Sequence, residues 1–126
     1  MSLLNMMDDY GNYITDWNYR EIIALDRILT AMKIPHSFEK FMDGWQILYP
    51  TKKRKDENGV TFPVISVIEH CGSYGHEKDL LEIMGLLTPE EEQCDSVAGG
   101  LTADNVYYRI KKHWEKLKSE DEADND

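Results

Sequence analysis

Apolar residues near the start of the chain recur every three or four positions, which is the period of a helix with one buried face. This stripe lies between residues 18 and 33 and predicts the first helix: Ile22, Leu25, Ile28, Leu29 and Met32. Asn18 and Glu21 have the spacing of a capping box at its beginning. The helix should end at about Lys33, before Pro35, because proline disfavours helical backbone in the residue before it.

The second half of the chain contains further helical signals. Residues 77–84, followed by Gly85, predict a short helix with a glycine at its end. Thr88 and Pro89 predict another helix start, with a hydroxyl cap and a proline in the first turn. A pair of glycines interrupts this second signal after about ten residues, so the helix should be short.

The last helix is the best specified. Thr102 caps it, and Leu101 and Val106 have the spacing of a hydrophobic staple. An apolar stripe continues to about residue 118 and consists of Val106, Ile110, Trp114 and Leu117.

Between these helices, short runs of apolar residues predict three strands. They lie at residues 36–42, 45–49 and 60–70. Asp43 and Gly44 separate the first two, and this dipeptide favours a two-residue hairpin turn. The third run is apolar on both alternating sets, which predicts burial on both faces, although Pro63 removes one ladder donor.

These elements predict a single α+β domain at residues 16–118. It has a three-stranded antiparallel sheet with an N-terminal helix and two or three C-terminal helices packed on it, in the order α-β-β-β-α-α. Residues 1–15 show neither period and are interpreted as a loosely ordered arm. Residues 119–126 contain five acids and no base, which predicts a disordered acidic tail.

The formal net charge of −10 disfavours a broad nucleic-acid surface. The predicted order of elements also occurs in the double-stranded RNA-binding domain, which uses lysines at the start of its final helix. Asp104 stands there in this chain. Residues 52–55 form one basic cluster, so weak binding of nucleic acid through that loop, or an acidic decoy of nucleic acid, stays as an alternative.

The chain has no apolar run long enough for a membrane span and no signal-peptide pattern at its N-terminus. We therefore expect a cytoplasmic protein without a membrane partner. The two cysteines, Cys71 and Cys94, are interpreted as reduced thiols. A homodimer stays open, because the sequence does not show which apolar surface is uncovered.

The most site-like segment joins the third predicted strand to the next predicted helix. A glycine loop in such a place can direct backbone N–H groups at an anion. Glu77 and Asp79 in the predicted first helical turn would repel a phosphate, so a tight structural turn is favoured over a ligand loop. The candidate ligand-loop residues are Gly72, Ser73, Tyr74, Gly75 and His76.

Metal binding and catalysis have weaker support. Zinc could take His70, Cys71 and His76, with Cys94 or His113 completing the set, but the paired spacing of zinc sites is missing. Cysteine or serine beside histidine could form a nucleophile and base, yet the sequence shows no orienting third group. We therefore assign no metal ligand, no cofactor and no catalytic residue, and expect a buried thiol with ordinary histidines.

Three separated segments of the chain are nonetheless distinctive: DGWQILYP at residues 43–50, HCGSYGHEKDLLEIMGLLTPEEE at residues 70–92 and DSVAGGLTADNVYYRIKKHW at residues 95–114. Together they resemble a family of small uncharacterised proteins encoded by phages and prophages of Gram-positive bacteria, over roughly residues 18–118. The resemblance brings no activity or site residue with it. It implies an accessory protein that binds a host or phage protein.

We therefore predict a non-enzymatic phage or prophage accessory protein that acts in the bacterial cytoplasm through protein–protein interaction, with an unknown protein partner. The first alternative is the nucleic-acid-directed protein described above. The second alternative is a small enzyme or metal protein centred on residues 70–76.

Overall fold

In the computed structural model, a five-stranded antiparallel sheet is covered on one face by two helices. The structure describes residues 19–50, 54–55, 57–59 and 61–124. In chain order the strands are β1 (Ser37–Phe41), β2 (Gly44–Tyr49), β3 (Arg54–Lys55), β4 (Thr61–Phe62), β5 (Ile65–Glu69), β6 (Leu81–Met84) and β7 (Ala98–Leu101). The helices are α1 (Arg20–Ala31), α2 (Pro89–Cys94) and α3 (Ala103–Asp124), and one 3-10 turn lies at His76–Lys78.

The large sheet has the order β1-β2-β5-β6-β7, and every neighbouring pair in it is antiparallel. Strands β3 and β4 form a separate two-stranded ribbon in the connection from β2 to β5. Trp45 near the start of β2 pairs with Glu69 at the end of β5. The β1–β2 turn and the residues after β5 therefore meet at the same end of the sheet.

The predicted three-stranded sheet is wrong, and one reason is the segment predicted as a helix at residues 77–84. Its second half is β6, in which Leu81 and Ile83 are fully buried and Met84 is exposed. Over so few residues the apolar pattern fits a strand as well as a helix. Pairing with β5 decides between them, because the apolar face of β6 continues the buried face of the sheet.

The other added strand is β7, which lies at the edge of the sheet and contains the pair of glycines expected to interrupt the chain. A Cβ on Gly99 would lie 2.4 Å from the Cβ of Tyr74. Glycine is required there because the preceding loop crosses the strand closely. The glycines thus mark a close approach of two chain segments.

The third predicted strand is divided. Residues 61–62 belong to β4 and residues 65–69 to β5, with Pro63 between them. β5 alternates between fully buried and half-buried residues, so the expectation of burial on both faces is only partly met.

The core lies between the sheet and helices α1 and α3. Cross-strand neighbours on the covered face, such as Ile47 with Val67 and Tyr49 with Ile65, are fully buried. The apolar stripes predicted for both helices supply the other side of the core, including Ile22, Leu25, Leu29, Val106 and Ile110. Burial of each such side chain contributes about 1.5–3 kcal/mol.

The predicted caps of the three helices fare differently. Thr88 and Glu91 form a capping box at the start of α2, which confirms that prediction, and Thr102 accepts the Asn105 N–H at the start of α3. At α1, Asn18 lies outside the described residues. Tyr19 stands at the cap position there without a side-chain cap hydrogen bond.

α3 continues through residues 119–124, a stretch within the segment for which the acidity predicts a disordered tail. The predicted arm at residues 1–15 and the two lysines at positions 52 and 53 lie outside the described residues. Within the described ranges, no helix has the length and apolar character needed to cross a membrane.

Candidate functional site

The predicted ligand loop is folded against the edge strand as a tight turn. The side chain of Ser73 is buried, where its Oγ accepts the His70 N–H at 3.0 Å and donates to the His70 carbonyl at 2.9 Å. Gly75 has a φ of +92°, and a Cβ on it would lie 3.0 Å from the backbone nitrogen of Gly100. The loop therefore packs flat on β7.

Four backbone donors of this loop, at residues 72, 73, 74 and 76, are already occupied. The N–H of Tyr74 donates to the Glu82 carboxylate at 3.0 Å, and that of Gly72 donates to His70 Nδ1 at 2.9 Å. Ser73 and His76 donate to carbonyls within the same turn. Because a carboxylate stands where an anion would bind, the geometry supports the interpretation of this loop as a structural turn.

Two residues that flank this loop, Glu69 before it and Asp79 after it, hold the beginning of α1. Asp79 Oδ1 accepts the N–H groups of Arg20 at 2.8 Å and Glu21 at 3.1 Å, and Glu69 Oε1 accepts that of Ile22 at 3.1 Å. These are the donors that a helix N-terminus leaves without partners inside the helix. Two carboxylates distant in sequence thus cap the beginning of α1.

Glu69 is fully buried, and burial is the main cause that raises its pKa to about 9. The neighbouring Asp79 contributes in the same direction, because a neutral Glu69 can donate its proton to the Asp79 carboxylate. Glu69 therefore carries its proton at neutral pH. Its Oε2 is buried and has no hydrogen-bond donor among the described groups, so an ionised Glu69 would leave one carboxylate oxygen without a partner, which further favours the neutral form.

A second cluster lies at the end of the sheet where the β1–β2 turn meets the residues after β5. One ligand-type atom from each of Asp43, His70 and Cys71 lies within 4.8 Å of the others. Gly44 makes this approach possible, because a Cβ on it would lie 1.9 Å from the carbonyl oxygen of Glu69. The hairpin turn itself is formed by Met42 and Asp43 and not by Asp43 and Gly44 as predicted.

Hydrogen bonds fix the Asp43 carboxylate in this cluster. The Tyr19 hydroxyl donates to Oδ2 at 2.6 Å and the Cys71 N–H to Oδ1 at 2.9 Å, and these bonds lower the pKa of Asp43 to about 2. The thiol of Cys71 hydrogen-bonds to the same carboxylate, which raises the pKa of Cys71. The cluster therefore favours a thiol over the thiolate that a nucleophile needs.

The other histidines and cysteine considered for zinc do not join this cluster. His76 lies beside Glu77 with an Nε2–Oε1 distance of 3.2 Å, and His113 Nδ1 is 2.8 Å from the Tyr49 hydroxyl. Cys94 is exposed at the end of α2. Cys71 is exposed as well, so the expectation of a buried thiol is wrong for both cysteines.

A third feature is an open groove of about 550 Å³ between one face of α3 and the segment that follows β6. We call it the α3 groove. Leu86, Leu87 and Tyr108 supply apolar surface, and Arg109, Lys112 and Lys116 supply basic groups. Its volume falls within the ~300–1,000 Å³ of ordinary ligand pockets.

Backbone geometry at Gly85 creates one wall of the α3 groove. Gly85 has a φ of +103°, and a Cβ on it would lie 2.2 Å from the Val64 carbonyl oxygen. Leu86 also has a positive φ, of 51°. The chain therefore turns sharply after β6, and the two leucines at residues 86 and 87 lie beside α3.

Arg109 ties this wall to the helix. Its guanidinium donates to both carboxylate oxygens of Glu91, at 2.7 and 2.9 Å, and to the Leu86 carbonyl at 3.0 Å. The Arg109 bonds, with the Thr88 N–H, lower the pKa of Glu91 to about 2. The charge of Arg109 is thus neutralised, and the residue acts as a structural clamp.

Lys112 and Lys116 are different, because neither forms an ion pair with any of the described residues. The Nζ of Lys112 lies 5.4 Å from the ring centroid of Tyr108, which is 60% exposed. The α3 groove therefore combines apolar surface with two uncompensated positive charges on an acidic protein.

Neither the α3 groove nor the place of Asp43 follows from the predictions made above. A signal for the groove exists: Tyr108, Lys112 and Lys116 recur every four residues and so share a helix face. Asp43 is 28 residues from Cys71, and only the pairing of β2 with β5 brings them together.

Comparisons with known proteins found no match to this chain. No protein-family model matches the sequence, and neither a curated protein nor a solved structure matches it. The resemblance to small phage proteins therefore stays a prediction.

Proposed function

We propose that this protein acts without catalysis by binding another protein, and that the α3 groove receives an acidic, partly apolar segment of that partner. The observation that carries the proposal is the position of Lys112 and Lys116, which have no ion-pair partner among the described residues, beside the exposed ring of Tyr108. Complementary charge at the rim of an interface selects and orients its partner. Apolar and aromatic side chains at the centre supply most of the affinity.

The wider role follows the resemblance described above. We propose an accessory protein of a phage or prophage that works in the cytoplasm of its bacterial host, with a host or phage protein as its partner. The exposed face of the α3 groove supports an interaction protein. Cys71, the thiol nearest to a histidine, is held in its protonated form by Asp43.

Nucleic acid is the main competing occupant, because phosphates would also be attracted to the two lysines. Two cations neutralise few phosphates, and affinity for nucleic acid grows with the number of phosphates neutralised. The remaining charge of the chain opposes such binding. An acidic peptide, which also brings apolar side chains, matches more of the surface.

Fluorescence anisotropy tests the proposal with a short labelled peptide in which glutamates flank leucine and tryptophan. Two further probes are the same peptide with glutamine in place of glutamate and a single-stranded DNA oligonucleotide. We expect saturable binding of the acidic peptide. The double substitution Lys112→Glu with Lys116→Glu should weaken it about tenfold, since each exposed charge pair is worth ~0.2–1 kcal/mol.

The matched control is Lys111→Glu with Lys118→Glu, which changes the net charge equally on the same helix outside the groove lining. This control should bind the peptide nearly as well as the unaltered protein. Equal losses in both double variants, or equal binding of the glutamine peptide, would contradict a specific groove. Stronger binding of the oligonucleotide than of the acidic peptide would favour the nucleic-acid alternative.

A further inference from the structure

The cluster of Asp43, His70 and Cys71 offers three different ligand types at one point, independently of the α3 groove. We infer that it is a zinc site, with one carboxylate, one imidazole and one thiolate as protein ligands and a fourth position open to solvent. The three ligand-type atoms lie within 4.8 Å of one another. Sulfur, nitrogen and oxygen ligands of this kind are those that zinc takes in proteins.

The three ligand atoms must lie close enough to one another to share one zinc ion. Zinc–ligand bonds of about 2.0–2.3 Å place the ligand atoms of a four-coordinate ion less than about 4 Å apart. The present separations are at most 4.8 Å, so any approach that the ligand atoms must make is under ~1 Å. Rotation of the exposed Cys71 side chain can supply that movement, and its exposure also gives an ion direct entry from solvent.

The surroundings resemble the support that metal ligands receive in proteins. The Tyr19 hydroxyl orients the Asp43 carboxylate from behind through its hydrogen bond to Oδ2, as outer-shell donors do at metal sites. The aromatic ring of Phe41 lies 5.2 Å from the ring of His70 and restricts its orientation. Coordination of the ion displaces the Cys71 proton into solvent, and the resulting thiolate together with the Asp43 carboxylate balances the two charges of the ion.

His70 sets the main structural cost of binding. Its Nδ1 accepts the N–H of Gly72 at 2.9 Å, so an ion coordinated by that nitrogen displaces one backbone hydrogen bond. Gly72 is exposed, and water can take over its N–H group. The displaced bond therefore does not prevent the site from closing around an ion.

Such a site would join the β1–β2 turn to the residues that follow β5. An ion that binds the folded chain and not the unfolded chain raises the thermal midpoint. Zinc should therefore stabilise the protein, and a chelator should return the midpoint to its metal-free value. This readout does not depend on knowing any activity of the protein.

The test uses the full chain with Zn²⁺ in thermal unfolding and native mass spectrometry, and with Co²⁺ as a spectroscopic probe of thiolate coordination. We expect one ion per chain, a rise in the thermal midpoint and a thiolate-to-cobalt charge-transfer band. Cys71→Ser and Asp43→Asn should each weaken binding at least tenfold and abolish the rise. Circular dichroism of both variants checks that they are folded.

Cys94→Ser is the matched control, because Cys94 is equally an exposed thiol but lies at the end of α2. It should bind the ion as the unaltered protein does. The inference is overturned if the unaltered protein binds no zinc at micromolar concentration, if Cys71→Ser retains its affinity, or if the loss occurs in Cys94→Ser instead.

Discussion

The loop at residues 70–79 and the α3 groove both collect polar side chains, yet they use them in opposite ways. In the loop, Ser73 and Asp79 direct their oxygens at backbone N–H groups of the protein itself. In the groove, Lys112 and Lys116 have no ion-pair partner in the described part of the chain. The loop therefore serves the stability of the fold, and the groove is available to a partner.

This contrast teaches that a glycine-rich segment between two elements is a weak sign of a ligand site. Gly75 is needed for its positive φ and for the close approach of Gly100, not for a bound anion. A face of a helix with regularly spaced lysines attracts less attention in a sequence. It becomes informative once the wall formed by residues 86–88 is known.

The largest expected effect concerns the buried carboxyl beside the loop. The folded protein raises the pKa of Glu69 to about 9 from an ordinary value of 4.5. The folded state thus keeps a proton that the unfolded state loses, so this contribution to stability is complete below pH 4.5 and is lost as pH rises towards 9. The free energy of unfolding falls by about 1.4 kcal/mol per pH unit within this window.

The substitution Glu69→Gln removes the pH-dependent contribution of this residue to stability. Glutamine keeps a donor for Asp79 and an acceptor for the Ile22 N–H but does not titrate. We measure the unfolding free energies of the two proteins with urea from pH 5 to pH 8. The value for the unaltered protein should fall relative to that for the variant as pH rises. Asp43 and Glu91, with pKa values of about 2, titrate below this range. If the unfolding free energies of the two proteins change with pH in parallel, Glu69 does not hold its proton in the folded state.

A smaller effect is expected at Ser73, whose hydroxyl is buried and bonded twice to His70. Ser73→Ala leaves the His70 N–H without its acceptor and should cost about 1–2 kcal/mol in urea unfolding. Ser96→Ala, an exposed serine in another loop, is the control and should cost less than about 0.5 kcal/mol. If Ser73→Ala and Ser96→Ala lower the unfolding free energy equally, the loop contributes no more to stability than an ordinary surface segment, and its contrast with the α3 groove is lost.

The smallest effect on stability belongs to the groove. The double substitution Lys112→Glu with Lys116→Glu should change the unfolding free energy by less than about 0.5 kcal/mol, since neither lysine forms an ion pair with a residue that the structure describes. Thermal and urea unfolding measure this directly. A loss of several kcal/mol would mean that the lysines are structural, and the weaker peptide binding expected for this variant would then have another cause.

Several elements follow from local sequence signals. The stripe from Ile22 to Leu29 and the stripe from Val106 to Ile110 form buried faces of α1 and α3. Thr88 forms the predicted hydroxyl cap of α2, and the structure adds Glu91 as the second member of a capping box. These features depend on residues within a turn or two of one another, so helical period and cap chemistry are sufficient to predict them.

The missed features all depend on distant neighbours. Leu81 to Met84 become a strand only because β5 offers an edge with a matching buried face. Glu21, a residue of the predicted capping box at α1, also accepts the N–H of Ala103 at the start of α3. Asp43 meets Cys71 because two strands end together at one end of the sheet.

By itself, the sequence determined an α+β chain with a helix near each end, and the cap that begins α2. The tertiary structure decided the number of strands, the protonated state of Glu69, the cluster at Asp43 and the α3 groove. The physical reason is the range of the interactions. Helical period and capping act over a few neighbouring residues, whereas strand pairing, burial of charge and the convergence of ligands require segments that only folding brings together.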